Sequence, residues 1–589
     1  MKIKIALLFI TVLFITTNIT AQEVKFGKVT KKELEEKFYP EDTATNAVVL
    51  YKKRRTYYDY DGSLGWIVKT EVHERLKLYN KDGFENATKK VRLYSQGGND
   101  EKFSIKAYTY NLEGGKIQKS KLEKSGIFNE EITKNWNSKN FTLPNLKDGS
   151  IVEWKYSITS PYRTSIEDVI CQYNIPIKNL DVKIQIPEYF QFKYLPSRYY
   201  PIKVSTSQVQ KQYSIASTIR RKSTVQGGSN NEPVLKTEYN KVLVKENIYS
   251  AKAEFIPALI DEPYVNNINN YRANINFEIE AIRPENGIPK FYNTTWDDVS
   301  KTIYQNEYFG VQMKKSNHFK DDLASITTDS KSQNEQMLKI FEFVKSKIKW
   351  NNINSLYTST EGIKKAYKEN IGNVAEINLT LISMLKEAGI NASPVLVSTR
   401  SHGVPLFPTK NGYNYVIAGV ETQNEVILLD ATEMYSAPNI LPLRALNWEG
   451  RLIRDNGSST TVSLYPSEYN TQKIKLSTKL DSEGTIAGMM MTTYTNLNAL
   501  HYRDNYASLA EDDLISKIEA KNNDIEIENF RLNNKTEISK PIVEMVKFTK
   551  ENQVDIIGDK MYISPLLFLT SQPLKSIYCV DNQYLMLTT

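Results

Sequence analysis

The spacing at which apolar residues recur changes twice along this chain, and each change fixes what the stretch concerned can become. Trp66, Val68, Val72, Leu76 and Leu78 fall on one side of an extended segment, with Lys69, Glu71, His73, Arg75 and Lys77 on the other, the period of two that a half-buried strand requires. His73 is thereby expected to face solvent. The same alternation returns at Phe103, Ile105 and Ala107 before Gly114-Gly115, and at Val152, Trp154, Tyr156 and Ile158 after Asp148-Gly149. It recurs at Leu180, Val182, Ile184 and Ile186 before Pro187, and at Ile275, Phe277 and Ile279. Short alternating runs separated by turn residues predict an antiparallel β-sandwich. Arg220-Arg221-Lys222 and the run from Gly227 to Asn231 lack any period and are expected to form an exposed loop.

Between about 300 and 390 the period becomes helical. Thr295-Trp296-Asp297-Asp298 offers a capped start, and Met337, Ile340, Phe341, Val344 and Ile348 form one apolar stripe that ends near Trp350. A second helix is expected from Asn373, with Ile377, Leu381, Met384, Leu385 and Ala388 on one face and Gly389 as its stop. Strands follow at Val395 to Thr399, Tyr413 to Val420 and Val426 to Asp430, the last two close enough to form a hairpin. Alternation resumes at Ile474, Leu476 and Leu480, so a small C-terminal β-domain is expected, with Met489-Met490-Met491 filling its core. The fold class is α+β and multidomain, with boundaries at 1–21, 22–293, 294–460 and 461–589.

The first of these spans carries Lys2 and Lys4, an apolar stretch from Ile5 to Ile15, and Asn18-Ile19-Thr20-Ala21 before Gln22, the pattern of a cleavable export signal. The apolar stretch falls short of the ~20 residues of a spanning helix, so no transmembrane segment is expected in the mature chain. With no cysteine beside the cut, lipid anchoring is not expected, and the protein should be periplasmic or secreted. Loss of the two lysines takes the formal charge from +8 to +6 with both signs interspersed. Such a surface is not a nucleic-acid footprint. Two cysteines, Cys171 and Cys579, fall in different expected domains and exclude a disulfide framework. Four scattered histidines, His73, His318, His402 and His501, without HExxH or CxxC spacing give no reason to expect a metal, and the missing glycine-rich phosphate loops give none for a nucleotide. No cofactor is expected.

The chemistry should lie where the helix from Asn373 meets the two strands after it. A helix N-terminus favours a thiolate, a histidine on the first strand moves the proton, and an acid on the second orients the ring. Papain-like and transglutaminase enzymes exploit this arrangement, and Gly372-Asn373-Val374-Ala375-Glu376-Ile377-Asn378-Leu379 resembles the helix segment of a transglutaminase-like domain, Tyr413-Asn414-Tyr415-Val416-Ile417-Ala418 its histidine strand, and Leu428-Leu429-Asp430-Ala431-Thr432 its aspartate strand. Leu143 to Ser150 and Ile256 to Pro263 resemble segments of a β-rich domain of unknown function that precedes such a core in secreted bacterial proteins, in which a further β-domain follows. The family resemblance implies more strands after Tyr562 to Pro565 than remain, so the last domain is expected to be incomplete.

Carried over residue by residue, the resemblance places Val374 at the cysteine, Tyr415 at the histidine and Asp430 at the aspartate. Valine cannot ionise, and a tyrosine with an ordinary pKa near 10 is a poor base at neutral pH. A non-catalytic protein of the bacterial cell envelope is therefore expected, holding a protein, peptide or glycan partner. Trp350, Glu376, His402, Tyr413, Asn414, Tyr415 and Asp430 are the candidate cleft residues, with Asp430 expected to accept backbone or hydroxyl hydrogen bonds. The competing expectations are a peptidase, amidase or transamidase working through an unusual group, with His402 lacking an evident nucleophile beside it, and a spacer with no ligand.

Overall fold

A computed structural model describes residues 24–569, apart from 97, 134–135, 198, 222–233, 263–264, 285–286, 293–294, 406–407, 410–411, 553, 558–559 and 565–566. The expected signal at 1–21, the run 227–231 and Cys579 lie outside the described residues. The protein is β-rich and multidomain with few helices, and its chain divides into two compact units, Met1–Asn293 and Thr294–Thr589. Among the described residues no helix is long and apolar enough to cross a membrane.

In the first unit the alternating segments assemble an eight-stranded sheet. Its order from one edge is Val204–Arg221, Val234–Ile256, Ile177–Pro187, Ala47–Asp61, Gly65–Leu78, Ile151–Ser160, Lys102–Glu113 and Lys116–Lys121. The expected all-antiparallel pairing fails at one place: Ala47–Asp61 and Ile177–Pro187 run parallel, with Lys52 opposite Leu180. A parallel neighbour needs a long crossover, and the chain between them supplies it by building further strands before returning. Thr88–Gln96, Trp136–Thr142 and Ile127–Thr133 form one smaller sheet, and Phe190–Pro196 pairs with Asn274–Ile282 in another. Val68, Trp154 and Val182 of the large sheet share one buried core with Val91 and Phe141 of the first small sheet and Phe190 and Phe277 of the second.

His73 is not exposed. It retains only 7 % of its surface, and Arg75 and Lys77 on the same face are buried more deeply. The reason is the N-terminal stretch, which lies over the face that alternation assigned to solvent. Glu153 collects His73 Nε2 at 2.8 Å, Arg75 Nη2 at 2.8 Å and the Gly27 amide at 2.9 Å. Arg75 also donates to the Lys25 carbonyl and to Glu33, while the Lys77 ammonium donates to the carbonyls of Leu34 and Gly149. Burial by itself would raise the Glu153 carboxyl, but the His73 hydrogen bond and the Arg75 charge bring it below its ordinary value.

The second unit begins with helices. The apolar stripe of Gln333–Lys347 is buried along Met337, Ile340, Phe341 and Val344. Helix Val374–Glu387 is buried on every side from Val374 to Leu385, so it runs through the core instead of lying on it. It starts in a reciprocal capping box between Asn373 and Glu376, and Gly389 at φ +78 follows its end. Against it stands an antiparallel five-stranded sheet ordered Val426–Leu429, Tyr415–Glu421, Ala392–Val397, Glu449–Ile453 and Ser459–Ser463.

The C-terminal region is not all β. Strands Gln472–Leu480, Ile486–Tyr494, Ile542–Lys550 and Glu526–Asn533 form a sheet. Helices Asn496–Tyr506 and Glu511–Lys521 pack on it through Tyr502, Leu514 and Ile518. Of the methionine run only Met490 enters the core; Met489 is 59 % exposed, because consecutive side chains of a strand point to opposite faces. The Gln472–Leu480 strand lies at the sheet edge and leaves Ile474 and Leu480 exposed despite their alternation.

Candidate functional site

Helix Val374–Glu387 and strand Tyr415–Glu421 meet over Asn378. Its amide nitrogen donates to the Val416 carbonyl at 2.9 Å and to Asp430 Oδ1 at 3.0 Å, while its oxygen accepts the Ala431 amide at 2.9 Å. One side chain thus ties the helix to both strands. Val374, fully buried, precedes Asn378 by four residues and so shares its helix face.

Asp430 is fully buried and accepts from several donors. Oδ1 also accepts the Thr432 amide at 3.0 Å and the Thr432 hydroxyl at 2.6 Å, and Oδ2 accepts the Tyr415 hydroxyl at 2.8 Å. Four donors thus converge on the carboxylate, three on Oδ1 and one on Oδ2. The Tyr415 and Thr432 oxygens lie 2.8 Å apart, yet each spends its single proton on Asp430. Arg444 resolves that contact by donating to both, from Nε to Tyr415 at 3.1 Å and from Nη2 to Thr432 at 2.8 Å. Burial, then the Asp430 charge, raise the Tyr415 phenol well above its ordinary value. It therefore stays protonated, a donor and not a base.

Arg444 reaches outward as well. Its guanidinium lies 4.1 Å from the Trp350 ring centroid and 5.9 Å from that of Tyr415, and Nη1 pairs with Glu433 at 3.1 Å. Arg444 and Glu433 keep about a fifth of their side-chain surface, 23 % and 18 %. With the half-buried Trp350 they form the accessible edge of an otherwise closed cluster. The burial of Arg444 works against its charge, but Tyr415 and Asp430 outweigh that and hold the guanidinium charged.

The remaining candidates fall elsewhere. Glu376 is consumed in the helix cap, accepting the Asn373 amide at 2.8 Å and the Ser359 amide at 2.9 Å. The Tyr413 ring packs 5.9 Å from that of Trp296. Asn414 bonds both the amide and the hydroxyl of Thr399 across the strand ends. His402 does have a hydroxyl beside it, since Ser398 Oγ lies 2.9 Å from Nδ1, but Ser398 is 1 % exposed and donates to the Gly403 carbonyl at 2.5 Å. Among the described residues no group of three His, Cys, Asp or Glu could hold a metal ion.

Asn378, Thr432, Arg444 and Glu433 received no role in the sequence analysis. Asn378 had a signal, an amide inside an apolar helix where a buried polar group must find partners. Arg444 had none, because it arrives from the short 3-10 turn Leu443–Ala445, fourteen residues beyond Asp430.

No family model matches the sequence, and no curated protein matches it. Among solved structures, the chain is similar to one from Parabacteroides distasonis described as a "putative protease", at 11 % identity and a TM-score of 0.44, covering 89 % of this chain and 95 % of that one. It is also similar to a "putative nutrient binding protein" from Legionella pneumophila, at 8 % identity and a TM-score of 0.16, covering 58 % and 94 %. At these scores neither likeness carries an argument, and the functional reading rests on the residues themselves.

Proposed function

We propose that this chain is a non-catalytic relative of the transglutaminase-like enzymes that holds a protein, peptide or glycan partner in the bacterial cell envelope, where the signal read at 1–21 would deliver it. One observation carries the proposal: the position matched to the catalytic histidine is Tyr415, whose only proton is committed to the buried Asp430. A phenol so held is a strut. With Val374 at the position of the nucleophile, the cluster's remaining capacity for chemistry lies in the Trp350, Arg444 and Glu433 edge, which offers a flat aromatic face and a charge of each sign. Those are groups for gripping a chain.

The experiment is the double substitution Val374→Cys with Tyr415→His, scored by the rate of thiol alkylation against pH. The expected thiol reacts faster at neutral pH than a surface cysteine, because a helix N-terminus and an imidazole supported by Asp430 favour its anion. A thiol with ordinary pH dependence rejects the kinship. Thiol-independent hydrolysis or transamidation by the unmodified protein, lost on Ser398→Ala or His402→Ala, would reject the holding role in favour of an enzyme built on that pair.

A further inference from the structure

Packing uses only part of the methionine run in the C-terminal region. Met490 turns into the core, whereas Met489 and Met491 point from strand Ile486–Tyr494 to the opposite face of the sheet, where Met489 keeps 59 % of its surface and Met491 is half-buried. On the neighbouring strand Ile542–Lys550, Ile542, Glu544, Val546 and Phe548 are buried toward the helices, so Met545 faces the same way as Met489 and Met491, half-buried as well. The register sets Met545 directly opposite Met491. Leucine would cover this face equally well, so burial does not call for sulfur at all three positions.

Three thioethers therefore stand at the corners of a triangle on one face. The Cβ atoms of directly opposed residues are about 4.5–5.5 Å apart, and residues two apart on one strand, as Met489 and Met491 are, about 6.8 Å. A methionine sulfur lies two flexible bonds beyond its Cβ, so all three can swing over the middle of the triangle. Lys475 lies on the far side of Met491, Arg531 beyond Met545, and Lys547 opposite Met489. Those cations donate hydrogen bonds and carry no lone pair for a metal, and the Glu528 carboxylate on the adjoining strand is already held by Lys547 at 2.6 Å and Thr549 at 2.7 Å. A divalent ion that prefers oxygen or nitrogen finds no free ligand in this set and meets the repulsion of its positive charges. A soft monovalent ion needs only the sulfurs.

We propose that Met489, Met491 and Met545 form a thioether site for a soft monovalent metal ion, copper(I). The ion sits on the outer face of the sheet, open to solvent, so it is loaded and released without disturbing the core beneath. The site takes nothing from the Tyr415 cluster, and either reading can fail alone.

The test titrates the full chain with silver(I), a redox-inert probe that shares the preference for sulfur, and then with copper(I) under nitrogen. Cys579→Ser is introduced throughout, since a thiol would compete; Cys171 is buried. Methionine methyl signals in NMR report which sulfurs bind. Saturation at a single ion per chain is expected, with the methyls of Met489, Met491 and Met545 shifting together and no response to zinc. Met491→Leu and Met545→Leu conserve volume on an open face, so the sheet survives them. Each should weaken binding at least about tenfold, a ratio worth ~1.4 kcal/mol. Met561→Leu removes another exposed thioether, outside the triangle, and should change nothing. No saturable binding, an unchanged affinity in Met545→Leu, zinc binding as tight as silver(I), or shifts confined to Met489 and Met561, as at any exposed thioether, would each overturn the proposal.

Discussion

Tyr415 is worth more as a hydrogen-bond donor than as a ring. Tyr415→Phe keeps the packing but strips the fully buried Asp430 Oδ2 of its partner and Arg444 Nε, at the edge of the cluster, of its acceptor. Leaving such groups unpaired costs roughly 1–3 kcal/mol, and a denaturant titration of the variant should show that loss. Asp430→Asn should cost at least as much, since an amide would turn two donor hydrogens toward a site that supplies only donors. At Glu153 the prediction concerns acid. Its carboxyl is depressed in the folded protein, so the stability it contributes is complete above the ordinary value of 4.5 and is lost as pH falls through the lower folded value. Glu153→Gln should therefore be less stable at neutral pH and lose less on acidification than the parent, as measured by thermal melts across pH 3 to 7. Neither residue's partners follow from periodicity. Tyr415 and Asp430 can be placed on neighbouring strands from sequence, but of the donors that complete them only Thr432, two residues beyond Asp430, is local, while Asn378 and Arg444 come from separations that no local pattern encodes.

Elements were legible wherever one face alone is buried. The stripe from Met337 to Val344 and the start at Asn373 could be read because helical spacing and capping are local properties. Where both faces are covered the pattern misleads: His73, Arg75 and Lys77 alternate like solvent-facing residues, yet the N-terminal stretch supplies their partners. The two C-terminal helices escaped notice for a related reason. Tyr502 and Arg503 are both buried in Asn496–Tyr506, which carries no clean apolar stripe. Two predictions belong here. Asn373→Ala removes the oxygen that accepts the Glu376 amide and should cost ~1 kcal/mol. Gly488→Ala would set a Cβ 2.3 Å from the Ser477 carbonyl oxygen across the strand pair, so circular dichroism and protease resistance should both report damage to the C-terminal sheet.

At the scale of the whole molecule, two compact units with separate cores should unfold as two cooperative steps, which calorimetry can resolve. Tyr415→Phe should move one transition and Glu153→Gln the other. Coincident transitions that shift together in both variants would show that the units are energetically one. Along the sequence the strand period gives way to the helical one near residue 294.

The knot of bonds around Glu153 has a practical side. It fastens the amide of Gly27 and, through Arg75, the carbonyl of Lys25, so the chain is sutured down within a few residues of the cut that the proposed export signal implies. A purification tag fused directly at that end would pull on the stitch, whereas one carried on a flexible spacer would leave it slack.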